Sequence, residues 1–287
     1  MLIGGIEAGG TKFVCAVGDD HGKIVDKITI PTEGPDETFQ EVKKFFKTYP
    51  IEALGVGSFG PIDLNTKHET YGTILNTPKT EWKHYDLLGR LKADFPIPVY
   101  LDTDVNAACL GEYLYGAGKN ADSTLYITVG TGIGAGFVYQ GSTYQGTSHP
   151  EMGHIFIEKR GDDRFTGSCP YHGSCLEGLA SGTAIEERYQ VRGDLLQENE
   201  TVWELEAHYL AQAIVNYIMV LSPERIILGG GVMKQEKLYG MIREKVREMV
   251  NDYVAIDDVE ELIVAPELDD EQGVKGAIGL VFRDEDV

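Results

Sequence analysis

Basic residues, cysteines and long apolar runs are all scarce in this 287-residue chain. Twenty-five Lys plus Arg stand against 46 Asp plus Glu, a formal charge of −21. That balance weighs against non-specific binding to nucleic acid or to an anionic membrane, whose phosphates attract cations. No apolar run reaches the roughly 18 residues needed to cross a bilayer. The opening "MLIGGIEAGGTKF" has no basic segment followed by an apolar core and a cleavage site. No secretory signal is therefore expected, and the cytoplasm is the expected compartment. A G-x-x-x-x-G-K-[ST] loop is missing, as is a G-x-G-x-x-G that opens a helix, which weakens P-loop and Rossmann readings. Four cysteines are too few for a disulfide framework. Cys15 in "FVCAV" and Cys109 in "NAACLGE" sit in apolar stretches and read as buried free thiols.

What is present is a globular composition with enough chain for two ordinary domains. "LIGGIEA", "KFVCAVG" and "KIVDKITI" read as a three-strand meander, separated by turn-rich "GGT" and "DDHGK". Phe39, Val42, Phe45 and Phe46 recur at helical spacing in "DETFQEVKKFFKTY". Then come a strand "ALGVGSFGP", a helix "YDLLGRLKADF", a strand "IPVYLDTD" and a helix "VNAACLGEYLYGAG". From Ser123 the order starts again with "STLYITVG", "GAGFVYQG" and a strand around "GHIFIEK". A long helix "WELEAHYLAQAIVNYIMVLS", a strand "RIILGGGV", a helix "EKLYGMIREKVREMV", a strand "ELIVAP" and a last helix "GVKGAIGLVF" complete it. The expectation is an α/β chain built twice, with copies about 120 residues apart. The expected domains are 1–117 and 118–287, hinged near "GAGKNADS", with the last helix free to pack back on the first. Two such halves are expected to hold a ligand cleft between them.

Each half carries a glycine-rich hairpin, "EAGGTK" at Glu7–Lys12 and "TVGTGIGAG" at Thr128–Gly136. Glycine lets backbone N–H groups close on an anion, and a Thr hydroxyl adds a donor. One such hairpin is an ordinary turn; two at matching places in duplicated halves point to phosphate. "GGGV" at Gly229–Val232 is a further place for close approach, suited to a base or ribose. A different chemistry gathers in Gly153–Gly182, where His154, Cys169, His172 and Cys175 fall within one short stretch. Two thiolates and two imidazoles suit a tetrahedral zinc ion, and Gly161, Gly167 and Gly173 let the chain fold back. All four positions are filled by side chains, so the zinc is expected to be structural rather than catalytic.

"GGIEAGGTK", "LDTDVNAACLGE", "TVGTGIGAG", "EMGH", the cysteine cluster with "CLEGLASG", and "IILGGGV" resemble, in this order, the motifs of the ROK sugar kinases. The resemblance spans nearly the whole chain. Within that family the sequence looks most similar to bacterial zinc-containing fructokinases, through Glu7 in the opening motif and "CPYHGSCLEG" in the cluster. It implies the duplicated actin/hexokinase-like (ribonuclease H-like) fold and transfer of a phosphoryl group from ATP to a hexose. By that likeness Gly9, Gly10, Thr11, Lys12, Thr131, Gly132, Gly229, Gly230 and Gly231 hold the nucleotide and its phosphates. Gly60, Pro61, Asn76, Thr103, Asp104, Glu151, His154 and Glu177 hold the sugar. The same four His and Cys positions bind zinc, and Glu7 helps to hold Mg²⁺ through water.

Asp104, in "TDVN" at a strand end, is the expected base. Hydroxyl attack on a γ-phosphate needs an acceptor within hydrogen-bond reach, and positioning dominates the rest. The competing reading of Asp104 is a helix N-cap, and Asp102 is its nearest rival as base. Two departures bear on substrate and metal. Many relatives that act on aldohexoses have Asn where Thr103 stands, so an amide is lost from the sugar site. Glu7 is one methylene longer than the usual Asp. The expected activity is ATP-dependent phosphorylation of fructose at O6, with a kinase of glucose, mannose or an N-acetylhexosamine as the alternative. A sugar-responsive repressor would carry a helix-turn-helix ahead of the first glycine motif, and an inactive sugar binder would not keep Asp104 with both hairpins. Hexose and ATP are the expected partners, with no nucleic acid and no membrane, and a homodimer is implied by the resemblance alone.

Overall fold

In the computed structural model, residues 1–282 are described. Residues 283–287, the end of the expected second domain, lie outside the described residues. β1 (Ile3–Ala8), β2 (Lys12–Gly18) and β3 (Ile24–Pro31) make the expected antiparallel meander. After α1 (Pro35–Phe46), β4 (Ala53–Ser58) joins β1 in parallel. α2 (Leu87–Asp94) leads to β5 (Val99–Thr103), which is parallel to β4 and runs straight into α3 (Asp104–Tyr115). All six residues of β4 are buried, as expected of an inner parallel strand covered on both faces. α1 buries Phe39, Val42 and Phe46 of the four residues its spacing selects and leaves Phe45 half-buried, and Phe39 joins Phe13 and Trp82 in an aromatic cluster. Cys15 and Cys109 are buried and neither is in a disulfide.

The second copy holds β6 (Ser123–Val129), β7 (Ile133–Tyr139) and a two-residue β8 (Ser142–Thr143). α4 (Leu176–Ala180), α5 (Gly182–Tyr189), α6 (Glu200–Leu221), β9 (Arg225–Gly229) and α7 (Lys237–Val250) follow. α8 (Val259–Leu262), β10 (Ile263–Val264) and α9 (Gln272–Gly279) complete the elements. The sheet orders are β3-β2-β1-β4-β5 and β10-β9-β6-β7-β8, the same order read from opposite edges. That identity establishes the duplication. One expected strand is absent: "GHIFIEK" contains a 3-10 turn at Met152–His154 and then irregular chain. Its single sheet-like link is the isolated bridge of Phe156 to Cys175, because the segment turns to meet the cysteines instead of extending a sheet.

The chain divides into two compact units. The first comprises Met1–Asp122, Gly136–Pro150 and the stretch from Glu267; the second comprises Ser123–Ala135 and Glu151–Pro266. Within the first unit, α9 lies against α3. Gly111 and Gly276 permit that closeness: a Cβ on either would overlap backbone of the facing helix. No helix among the described residues is long and apolar enough to cross a membrane.

Candidate active site and metal cluster

Three parallel strands of the first unit end in register. Ala8 pairs with Ser58 and Ser58 with Thr103, so β1, β4 and β5 release their following loops from one sheet edge. Ligands of parallel α/β sheets bind at such carboxyl ends. The loops are the first glycine hairpin, the Gly60–Pro61 turn and the start of α3. The Gly9 N–H donates to the Lys12 carbonyl at 3.0 Å, closing the hairpin. Thr32 braces it from behind, its hydroxyl donating to the Gly9 carbonyl at 2.7 Å. The Phe59 N–H donates to the Ala8 carbonyl at 2.7 Å, and the Leu75 N–H to the Pro61 carbonyl at 2.8 Å. Gly60, Pro61 and the exposed Asn76 are thereby brought together beyond β1.

Thr103, not Asp104, caps α3. Its hydroxyl accepts the Asn106 N–H at 3.1 Å, which leaves Asp104 as the first helical residue, half-buried. The N-cap position thus belongs to Thr103, while Asp104 Oδ1 accepts the Val105 N–H at 2.9 Å within the first turn. The rival Asp102 is completely buried. Its carboxylate is occupied by the Thr103 N–H at 2.7 Å, the Asn106 amide at 2.8 Å and the Thr143 hydroxyl at 2.7 Å. Such a group cannot meet a sugar hydroxyl. The extra methylene of Glu7 brings its carboxyl over Gly273 of α9, where any side chain would collide with it. Burial pushes the Glu7 carboxyl above its ordinary value, Lys12 opposes this, and Asp270 adds to it. A half-buried carboxyl flanked by a second acid is a fitting neighbour for a hydrated divalent cation.

In the second unit, His154, Cys169, His172 and Cys175 present ligand atoms all within 4.8 Å of one another. His154 Nδ1 lies 3.7 Å from Cys169 Sγ and 3.5 Å from Cys175 Sγ, and His172 Nδ1 lies 3.7 Å from Cys169 Sγ. Tetrahedral bonds of about 2.3 Å to sulfur and 2.0–2.1 Å to nitrogen would set S and N about 3.6 Å apart. The cluster fits a four-coordinate ion of that size. Gly167 and Gly173 adopt positive φ, at 95° and 61°, and make the reversals that bring the ligands together. Gly161, also expected to help, is not among the positive-φ residues. Burial pushes the Cys175 thiol up to about 11, so binding a cation here must displace a proton.

The other face of His154 has a different neighbour. His154 Nε2 lies 3.8 Å from Glu177 Oε1, while Glu177 Oε2 accepts the Ile133 N–H at 3.0 Å. Glu177 thus stands between the cluster and the second glycine hairpin. Glu151 is exposed, one turn before His154, whose N–H donates to the Glu151 carbonyl at 3.0 Å.

That hairpin borders a cavity of about 590 Å³ lying wholly in the second unit. Its wall includes Gly130, Thr131, Gly182, Gly231, Trp203 and Lys234. The Gly182 N–H donates to the Gly130 carbonyl at 2.7 Å, and the Thr183 hydroxyl to the Thr131 carbonyl at 2.8 Å. Gly230 has φ of 92° and a side chain there would overlap Val129, which explains glycine at that position. Of the nucleotide residues expected from the second half, Thr131 and Gly231 line this cavity and Gly132, Gly229 and Gly230 do not, while α5 and several of residues 192–197 that also line it were not expected. The signal for α5 was present: Ser181 caps it, accepting the Ala184 N–H at 3.1 Å, and "SGTAIEE" is an ordinary N-cap pattern.

Paired glycine hairpins on two copies of one mixed sheet, with a carboxylate at a strand end, define a sugar kinase of the actin/hexokinase-like class. The ROK family profile matches residues 3–284, and the chain belongs to the ROK family. It is 44% identical over 278 residues to a fructokinase of Pediococcus pentosaceus, covering 97% of this chain and 96% of that one. A fructokinase of Streptococcus mutans (serotype c, strain ATCC 700610 / UA159) is 44% identical over 270 residues, 92% of each chain. Among solved structures, the ROK hexokinase of Thermus thermophilus superposes with a TM-score of 0.81 at 27% identity, covering 98% and 97% of the two chains.

Proposed function

We propose that this protein is an ATP-dependent fructokinase that phosphorylates D-fructose at O6. The observation that carries the chemistry is the place of Asp104, a half-buried carboxylate on the first turn of α3, at the edge from which the first glycine hairpin also leaves. The substrate is supported by relatives with that printed activity along almost the entire chain. Thr103, in place of an amide, supports the same choice over an aldohexose.

In this reading Asp104 accepts the proton of the C6 hydroxyl as its oxygen bonds to the γ-phosphorus. The bond from that phosphorus to the bridging oxygen breaks and ADP leaves. Gly9–Lys12, Thr131 and Gly132 hold phosphate oxygens through backbone N–H groups and hydroxyls, and Gly229–Gly231 approach the nucleoside. Mg²⁺, when bound with the nucleotide, neutralises charge on the phosphates, and Glu7 orients its water shell. Gly60, Pro61 and Asn76 of the first unit, and Glu151, His154 and Glu177 of the second, are the sugar contacts of this reading. The metal of the His154, Cys169, His172 and Cys175 cluster is read as zinc with a structural role. With Nδ1 committed to the cluster, His154 keeps Nε2 for Glu177 and a sugar hydroxyl. A cytoplasmic homodimer completes the reading.

A hexose panel with MgATP, scored by kcat/KM, tests it. Fructose is expected to exceed glucose by at least tenfold, about 1.4 kcal/mol of transition-state discrimination. Glucose equal to or better than fructose would sink the assignment. An N-acetylhexosamine leading the panel would replace it with the alternative.

A further inference from the structure

The segment after β7 has no role in the reading so far, yet it is fastened to the residue two before the base. Asp102 Oδ2 accepts the Thr143 hydroxyl at 2.7 Å, and the Gln145 amide reaches Oδ1 at 3.4 Å. The same Oδ1 accepts the Thr103 N–H and the Asn106 amide, both at the start of α3. One completely buried carboxylate therefore holds Thr143 and Gln145 against the helix turn that begins with Asp104. Gln145 differs from the other donors because it is an exposed residue. Asp102 engages one of its two amide hydrogens, and its carbonyl oxygen and second N–H remain. Thr103 offers no equivalent: it is 5% exposed, and its oxygen is occupied by the Asn106 N–H.

We propose that Gln145 is a sugar-binding, specificity-determining residue, its amide held by Asp102 at the first turn of α3 to hydrogen-bond a hexose hydroxyl near the one that is phosphorylated. The proposal rests on the sugar-kinase reading above. An amide both donates and accepts, which matches a hydroxyl that does both. It restores, from a different part of the chain, the type of group that Thr103 lacks. Arriving on a loop rather than on α3, it meets the sugar from a different direction. A site built around a hydroxyl discriminates strongly against a sugar whose hydroxyl is missing or turned away, because the amide is then left unpaired.

Steady-state kinetics of wild type, Gln145→Ala and Thr143→Val on fructose, glucose and mannose with MgATP test this. Gln145→Ala is expected to raise fructose KM about tenfold, to lower kcat by less, and to leave ATP KM within about twofold. The preference for fructose over glucose should shrink with it. Thr143→Val, which loosens the segment but keeps the amide, should move the same quantities less far. A wild type inactive on every hexose overturns the sugar-kinase reading and this proposal together. An active wild type whose Gln145→Ala variant keeps its fructose KM and its sugar ranking overturns the proposal alone. So does a variant in which fructose KM and ATP KM rise equally, since that is the mark of general loosening.

Discussion

Glu112 and Glu267 are joined through both oxygens of the Glu112 carboxylate, which accept the Glu267 N–H at 3.1 and 3.2 Å. The same carboxylate accepts the Leu268 N–H at 3.2 Å and the Ala117 N–H at 2.8 Å. Ala117 lies shortly before the chain first leaves the first unit at Asp122, and Glu267 is where it returns after its second departure. One side chain on α3 thus ties the end of the unit's first stretch to the start of its last. Burial raises the Glu112 carboxyl above its ordinary value, and the backbone donors oppose that rise.

Removing this group should cost the fold heavily. Glu112→Ala strands three N–H groups, of which that of Leu268 is buried, and a buried unmet donor costs about 1–3 kcal/mol. Urea unfolding should show a loss of about 1–3 kcal/mol. A loss below about 1 kcal/mol would mean that water takes over these bonds and that the anchor has little weight.

Asp104→Asn keeps the shape of the side chain and its place at the start of α3 while removing the base. The expected result is a fall in kcat of about 10²–10⁴, with sugar and ATP affinities within a few fold. Thermal stability should hardly move, since Thr103 supplies the cap. A variant retaining more than about a tenth of wild-type kcat would move the role elsewhere, and the buried Asp102 is no longer the natural candidate.

The duplication was legible because both copies obey the same local rules. Strand alternation, glycine turns and the α1 stripe of Phe39, Val42 and Phe46 are short-range signals. The grouping of His154, Cys169, His172 and Cys175 was legible for a different reason, since thiols and imidazoles at close spacing have few other uses. What escaped depends on contacts distant in sequence. "GHIFIEK" alternates like a strand, but Gly153 packs on the backbone at Ile133 and the following chain turns towards Cys175. Nothing local says so. The cap at Thr103 and the burial of Asp102 rest on Asn106 and on Thr143, the latter 41 residues from Asp102. Choosing between Asp102 and Asp104 from spacing alone could rest only on resemblance.

Glu206, within α6, is 1% exposed and neither of its carboxyl oxygens has a hydrogen-bond partner. Burial pushes it well above its ordinary value of 4.5, against the opposing pull of the Arg188 guanidinium. A folded-state value raised above the unfolded one favours the neutral acid. Its contribution is full below about 4.5 and is lost as pH rises through the raised value. Glu206→Gln cannot ionise, so it should be more stable than wild type at neutral pH and lose that advantage towards pH 4. Melting temperatures of both proteins from pH 4 to 8 check this. A difference that stays constant, or that widens towards acid, contradicts it.

The cluster of His154, Cys169, His172 and Cys175 makes the last prediction, because loss of a structural ion should not look like loss of a catalytic one. The loop between His154 and Cys169 has a second anchor that needs no metal. Asp163 accepts the Tyr209 hydroxyl at 2.7 Å and the Arg188 guanidinium at 3.3 Å. Removing the ion should therefore loosen the loop near His154 and Glu177 while the sheets and that anchor persist. Purified protein is expected to hold about one zinc per chain, and Cys169→Ser to release or weaken it. Fructose KM should rise sharply in that variant. ATP KM should change less, because Gly9–Lys12 belong to the first unit and Thr131 is held by Thr183, outside the loop. Added Mg²⁺ should not restore activity, since an oxygen-seeking ion is a poor ligand partner for thiolate. Active enzyme free of zinc, or a Cys169→Ser protein with an unchanged fructose KM, would show that the cluster does not hold the sugar loop. Far-UV circular dichroism separates the remaining case: a variant that has lost its helices has lost its fold, and its kinetics then say nothing in favour of a local role.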